Sequence, residues 1–234
     1  MRQKHPTTGG KLSANCLRTK RLDHTRNDSP ASKPPRKDNG KSQNPMFFTP
    51  TKAKFSFTFQ WTIATFGGFL VSLCWIEVGE KPDVGVVQAS LGGLAIAFAQ
   101  SLMIRHSISS WRWVLATLLA WATITAIGVG AVGWIVPSTK VLPLRLLWGI
   151  ALGGVGGFVI GLAQWTAIKK SVASAWQWIF VSTVSWAIAI PIGSTVGIVL
   201  LRLTRLFLGE VAGLAITWIL VAIFTGINAH RLLR

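Results

Sequence analysis

Gln100 and Gln164 are the side chains of this sequence whose chemistry asks for an explanation, because each is an amide set inside a long uncharged run. Each is followed by tryptophans in the same order. Trp111, Trp113, Trp121 and Gly128 follow the first; Trp176, Trp178, Trp186 and Gly193 follow the second. The offset is 64 residues at the glutamines and 65 from the first tryptophan onward, so one inserted loop residue separates two copies of a motif. An amide in apolar surroundings either hydrogen bonds across a helix contact, typically for about 1 kcal/mol, or lines a polar path. The neighbouring residues favour the contact. Gly153, Gly157 and Gly161 stand four apart with Gln164 three further on, all on one helical face, and Gly93, Ala97 and Gln100 match them in the earlier copy. Small residues so spaced let two helix backbones approach closely. Helix packing is the expected role, and the lining of a substrate path is the alternative.

Other chemistry is poorly supported. The histidines are His5, His24, His106 and His230, none in the middle of an apolar run, and no pattern pairs a nucleophile with a base. No HExxH, no CxxC and no carboxylate cluster of metal-binding form occurs, so no catalytic residue, metal or cofactor is expected. Glu77, Glu80 and Asp83 read as a solvated acidic loop. Glu210 opens the last helix, where the helix dipole favours a carboxylate. Cys16 and Cys74 are expected to be unpaired, since one falls in the polar tail and the other in an apolar run. A coupled transporter needs an ionisable group near the bilayer centre, and the runs contain none.

The elements that must position these residues are long. Six uncharged runs, 55–76, 84–104, 113–139, 146–168, 171–201 and 211–229, reach or approach the roughly 20 residues that cross a ~30 Å hydrocarbon core. Their continuity favours helices over barrel strands, which alternate in polarity. The expected fold is an all-α polytopic membrane protein with six transmembrane helices over 55–234. Residues 1–54 are rich in Lys, Arg, Ser, Thr, Asn and Pro, and are expected to form a disordered basic tail, with Met46 as an alternative start. Thirteen basic against three acidic residues there give +10 of the net +17. Specific nucleic-acid binding is not expected, because the arm lacks interleaved aromatics and the rest of the charge lies in short loops; anionic lipid is the expected counter-surface. With the N-terminus inside, inner segments carry eight basic residues against five outside, so both termini are expected to be cytoplasmic, in an inner, plasma or thylakoid membrane.

The Trp-x-Trp pairs Trp111/Trp113 and Trp176/Trp178 are expected to be interface anchors, since indole is apolar in bulk with one donor N–H. Trp121 and Trp186 lie deeper, where they pack against neighbours or, alternatively, cradle a pigment or lipid. Gln60, Trp61 and Phe69 in the first helix match Gln177, Trp178 and Trp186, and Gly209 and Gly213 begin the small-residue pattern in the sixth, with Ile216 in place of glutamine and Trp218 near the place of Trp165. Three parallel two-helix repeats about the membrane normal follow from that register. Pro191 is expected to kink the fifth helix or end its regular part.

Gly157, Gly161, Gln164, Trp165, Ile168 and Lys169 spell G-x3-G-x2-Q-W-x2-I-K. This resembles a signature recurring in uncharacterised multi-pass bacterial membrane proteins, cyanobacterial ones in particular. Gln100, Ile104 and Arg105 keep part of it, with Ser101 in place of Trp. The resemblance implies a membrane fold and carries no catalytic residue. The function expected is a non-catalytic scaffold or assembly factor that binds lipids, pigments or other integral membrane proteins; the alternative is a passive channel or transporter for a small solute.

Overall fold

The computed structural model describes residues 50–79 and 84–233. The basic tail up to residue 49, with Met46, Cys16, His5 and His24, lies outside the described residues, as do Glu80, Asp83 and Arg234. Among the described residues the chain is all-helical, with α1 (Pro50–Ser72), α2 (Val86–Ile104), α3 (Ser110–Ala126), α4 (Leu142–Ile168), α5 (Gln177–Thr204) and α6 (Leu208–Leu233). Each helix packs on the next in chain order, and α6 returns to α1. The six therefore form a closed ring.

Four of them, α2, α4, α5 and α6, are long and apolar enough to cross a membrane. The other two of the six expected spans fall short of that measure. α1 has 23 residues but includes Ser56, Thr58, Gln60, Thr62 and Thr65. α3 has only 17 residues, a rise of roughly 25 Å against a ~30 Å hydrocarbon core.

The early end of α3 has a local cause. Gly128 takes a left-handed φ of 83°, its N–H donates to Thr125 O at 3.1 Å, and the Val129 N–H donates to Ile124 O at 3.0 Å. These two bonds around a left-handed glycine form a Schellman motif, which satisfies the last carbonyls and turns the chain out of the helix. Residues 127–141, all but the last two of them expected to continue the third helix, instead fold back over the bundle as irregular chain. Ala131, Val132, Trp134 and Val136 are buried there. The segment is tied down by Val136 N–H to Gly79 O at 3.1 Å, by Trp134 Nε1 to Ser72 Oγ at 2.8 Å, and by Trp218 Nε1, which donates to Gly133 O at 2.8 Å. Non-helical backbone of this kind is tolerable in an apolar medium where protein encloses it.

α5 continues through Pro191, so that residue does not end the regular part of the helix. The small residues act at helix contacts. A Cβ added to Gly157 would lie 2.7 Å from Ser182 O, one on Gly161 would lie 3.0 Å from Ile179 Cα, and one on Gly153 would lie 2.6 Å from Trp186 O, all on α5. On α2, Gly93 lies directly under the Trp121 ring and Ala97 is fully buried. Gly193 and Gly213 face each other across the α5/α6 contact.

Candidate functional site

The interior of the ring is organised by indoles in two tiers. Trp61, Trp113 and Trp178, from α1, α3 and α5, meet edge to face with centroids 6.2, 6.3 and 5.5 Å apart. Eight residues further along the same helices, Phe69, Trp121 and Trp186 join Trp134 and Trp218 in a second tier, with Trp121 and Trp134 at 4.6 Å and Trp186 and Trp218 at 5.0 Å. Because successive residues of α1, α3 and α5 enter the tiers in the same order, these three helices run in one direction. Edge-to-face contacts add about 0.5–1.5 kcal/mol each beyond the area they bury.

The glutamines lie between the tiers. Trp113 Nε1 donates to Gln100 Oε1 at 3.2 Å, and Gln100 Nε2 donates to Thr65 Oγ1 at 3.1 Å. The later copy repeats the bonds: Trp178 Nε1 to Gln164 Oε1 at 2.8 Å, and Gln164 Nε2 to Thr117 Oγ1 at 3.0 Å. An indole N–H can only donate, so the amide oxygen must face the tryptophan and the amide nitrogen is left for the threonine. Each glutamine of an even helix thus ties the odd helix after it to the odd helix before it. Around the ring, α6 contributes Thr225, which accepts from Trp61 Nε1 at 3.1 Å. Ile216, expected in that register, is only half-buried and lies away from this belt.

Trp113 and Trp178 are therefore interior residues, 0% and 1% exposed, and are not the interface anchors expected of them. Their partners Trp111 and Trp176, at 67% and 55%, do face outward. Residues two apart on a helix point about 200° from each other, so one member of each pair turns in when the other turns out.

A second polar constellation was not legible in the sequence. Arg145, in the first turn of α4, and Glu210, in the first turn of α6, form a bidentate ion pair with both side chains buried, at 2% and 3% exposure. Arg145 Nε also donates to Ser194 Oγ on α5. Arg145 is thus no loop cation, and Glu210 does more than complement a helix dipole. Gly197 makes room for the carboxylate, since a Cβ there would lie 2.6 Å from Glu210 Oε2. Taking both charges out of water is costly, and the two parallel N–H···O bonds with the serine contact offset that cost only if all three partners stay in place.

Elsewhere the polar groups are peripheral. Glu77 and His106 are exposed, and Arg105 Nε donates to His106 Nε2 at 3.2 Å. Lys169 Nζ stands 4.7 Å from the Trp165 ring centroid. Among the described residues, no three His, Cys, Asp or Glu lie close enough to hold a metal ion. The chamber between the two indole tiers is small, about 30 Å3, and is lined by Thr65, Gln100, Thr117, Gln164, Ser182 and Thr225 together with apolar side chains.

Comparison of the chain with models of protein families, with curated proteins and with solved structures finds no match.

Proposed function

We propose that this chain is a polytopic membrane protein of six transmembrane helices, and that it works as a non-catalytic scaffold or assembly factor binding lipids, pigments or other membrane proteins on its outer faces. The observation that carries the reading is the filled interior. Among the described residues, seven buried tryptophans and hydrogen-bonded glutamines leave a central space of only about 30 Å3, which favours the outside as the binding surface. That outside is apolar. Between α5 and α6 a groove of about 360 Å3 is lined by Phe180, Val181, Val184, Ile188 and Phe224.

Three parallel two-helix repeats are the architecture in this reading. It is supported by the recurrence of one bonding rule, in which Trp61, Trp113 and Trp178 each donate to α6, α2 and α4 in turn. The short α3 is compatible with a six-span arrangement in which the segment after it, buried at Ala131, Val132, Trp134 and Val136, makes up part of the membrane depth. Exposed Arg105, Arg112, Lys169, Lys170 and Arg231 gather where α2, α4 and α6 end and α3 begins, which supports placing that end in the cytoplasm. The Q-W signature of α4, which resembles that of uncharacterised cyanobacterial-type membrane proteins, is in keeping with this reading.

Purification in a mild detergent or native lipid discs tests the proposal. A lipid, pigment or membrane protein retained in stoichiometric amount supports it. A lone, monodisperse protein that keeps its melting temperature after complete delipidation sinks it. The hydroxyl and amide lining of the chamber favours a second reading, passive passage of a small solute. A flux into proteoliposomes that Gln100→Ala or Gln164→Ala alters, with folding intact, would put that reading first.

A further inference from the structure

The belt obeys its bonding rule completely at two junctions and only half at the third. Gln100 and Gln164 each accept an indole N–H from the following odd helix and donate to a hydroxyl of the preceding one. The hydroxyls concerned, Thr65 and Thr117, stand four residues after Trp61 and Trp113. Four residues after Trp178 stands Ser182, which is the hydroxyl that α6 should reach. Thr225 takes the indole of Trp61, but its only proton goes to Val221 O at 2.7 Å, which leaves nothing to give. Ser182, 2% exposed and part of the chamber wall, accordingly has no hydrogen-bond partner among the described residues.

We infer that the chamber is a water-binding site, in which one or two water molecules stand where the amide of a third glutamine would reach and bridge Ser182 to Thr225. The dimensions suit that ligand. A water needs roughly 10–15 Å3 of accessible space and two to four polar partners, and the chamber has about 30 Å3 with four hydroxyls and two amides around it. The chemistry suits it as well. A water accepts the Ser182 proton and returns one to the free lone pair of Thr225 Oγ1, which a protein side chain as short as threonine cannot do by itself. Indole tiers flank the chamber on both sides, and its volume suits nothing much larger than water. The α5/α6/α1 sector of the belt is thereby wet, where the α2 and α4 sectors are joined by direct bonds.

An experimental structure of the wild-type chain that resolves ordered water, paired with Thr225→Gln, tests this. The expected result is density within hydrogen-bond distance of both Ser182 Oγ and Thr225 Oγ1. In T225Q that density is replaced by the amide, with a rise in melting temperature of roughly 2–4 °C. Wild-type density that shows the chamber dry, with the Ser182 hydroxyl turned onto its own helix, overturns the inference, and so does an acyl chain or other solute in the space. Should T225Q not fold, the wild-type density alone decides between these results.

Discussion

Arg145 and Glu210 clasp each other across α5, so the first turns of α4 and α6 are joined although 65 residues of sequence separate the pair. Removing one partner strands the other as a buried charge. Glu210→Leu or Arg145→Met is expected to lower unfolding stability by about 3–5 kcal/mol, while the double replacement recovers most of the loss. Denaturation of the purified protein in detergent measures all three, and a double variant no better than the singles would show that the ion pair is not what joins the helices.

The glutamines offer a sharper test of packing against path. Gln164→Leu leaves the Trp178 indole and the Thr117 hydroxyl without their partner, for a cost of roughly 1–2 kcal/mol. Combined with Trp178→Phe, which removes the donor, the losses should add incompletely, with a coupling of about 0.5–3 kcal/mol. Strict additivity in the double-mutant cycle would mean that the bond carries no stability.

Neighbouring glycines on α4 should differ. A methyl on Gly157 meets Ser182 O at 2.7 Å, whereas on Gly154 the nearest atom is Ala187 Cβ at 3.9 Å. Gly157→Ala is expected to destabilise by about 1–3 kcal/mol, and Gly154→Ala to be neutral or stabilising by up to ~1 kcal/mol. Equal melting temperatures for the two variants would refute the close α4/α5 contact.

Each Trp-x-Trp pair should split in the same way. Trp113→Ala opens the first indole tier and is expected to cost about 3–5 kcal/mol. Trp111→Ala, on the outer face, should change stability in detergent by no more than ~0.5 kcal/mol. Unfolding curves of the two variants provide the comparison.

Much of this arrangement could be read from residue types, and the misreadings have physical causes. Gln100 and Gln164 recur on the small-residue face, where spacing of three and four residues fixes what shares a face, and both amides bond to neighbouring helices. The Trp-x-Trp pairs misled because composition suggested an interface while the helical period requires the two rings to diverge. Gly128 and Gly193 look like matching letters, yet one ends a helix through its left-handed backbone and the other permits α5 and α6 to touch. Only the tertiary neighbours separate those uses. The Thr65, Thr117 and Ser182 series was available as a spacing of four from each indole. The Arg145 to Glu210 pair had no such signal, since neither residue repeats and nothing local brings them together.

The contact of α1 with α6 gives the bundle no first or last member. Trp61 is bonded to Thr225, and the Phe57 and His230 rings lie 5.5 Å apart at the same end, as closely joined as helices linked by a loop. Chain order is then only one way of cutting a circle. A circular permutant that connects α6 to α1 and opens the loop between α2 and α3, at that same end, keeps every helix in its direction and every belt bond in place.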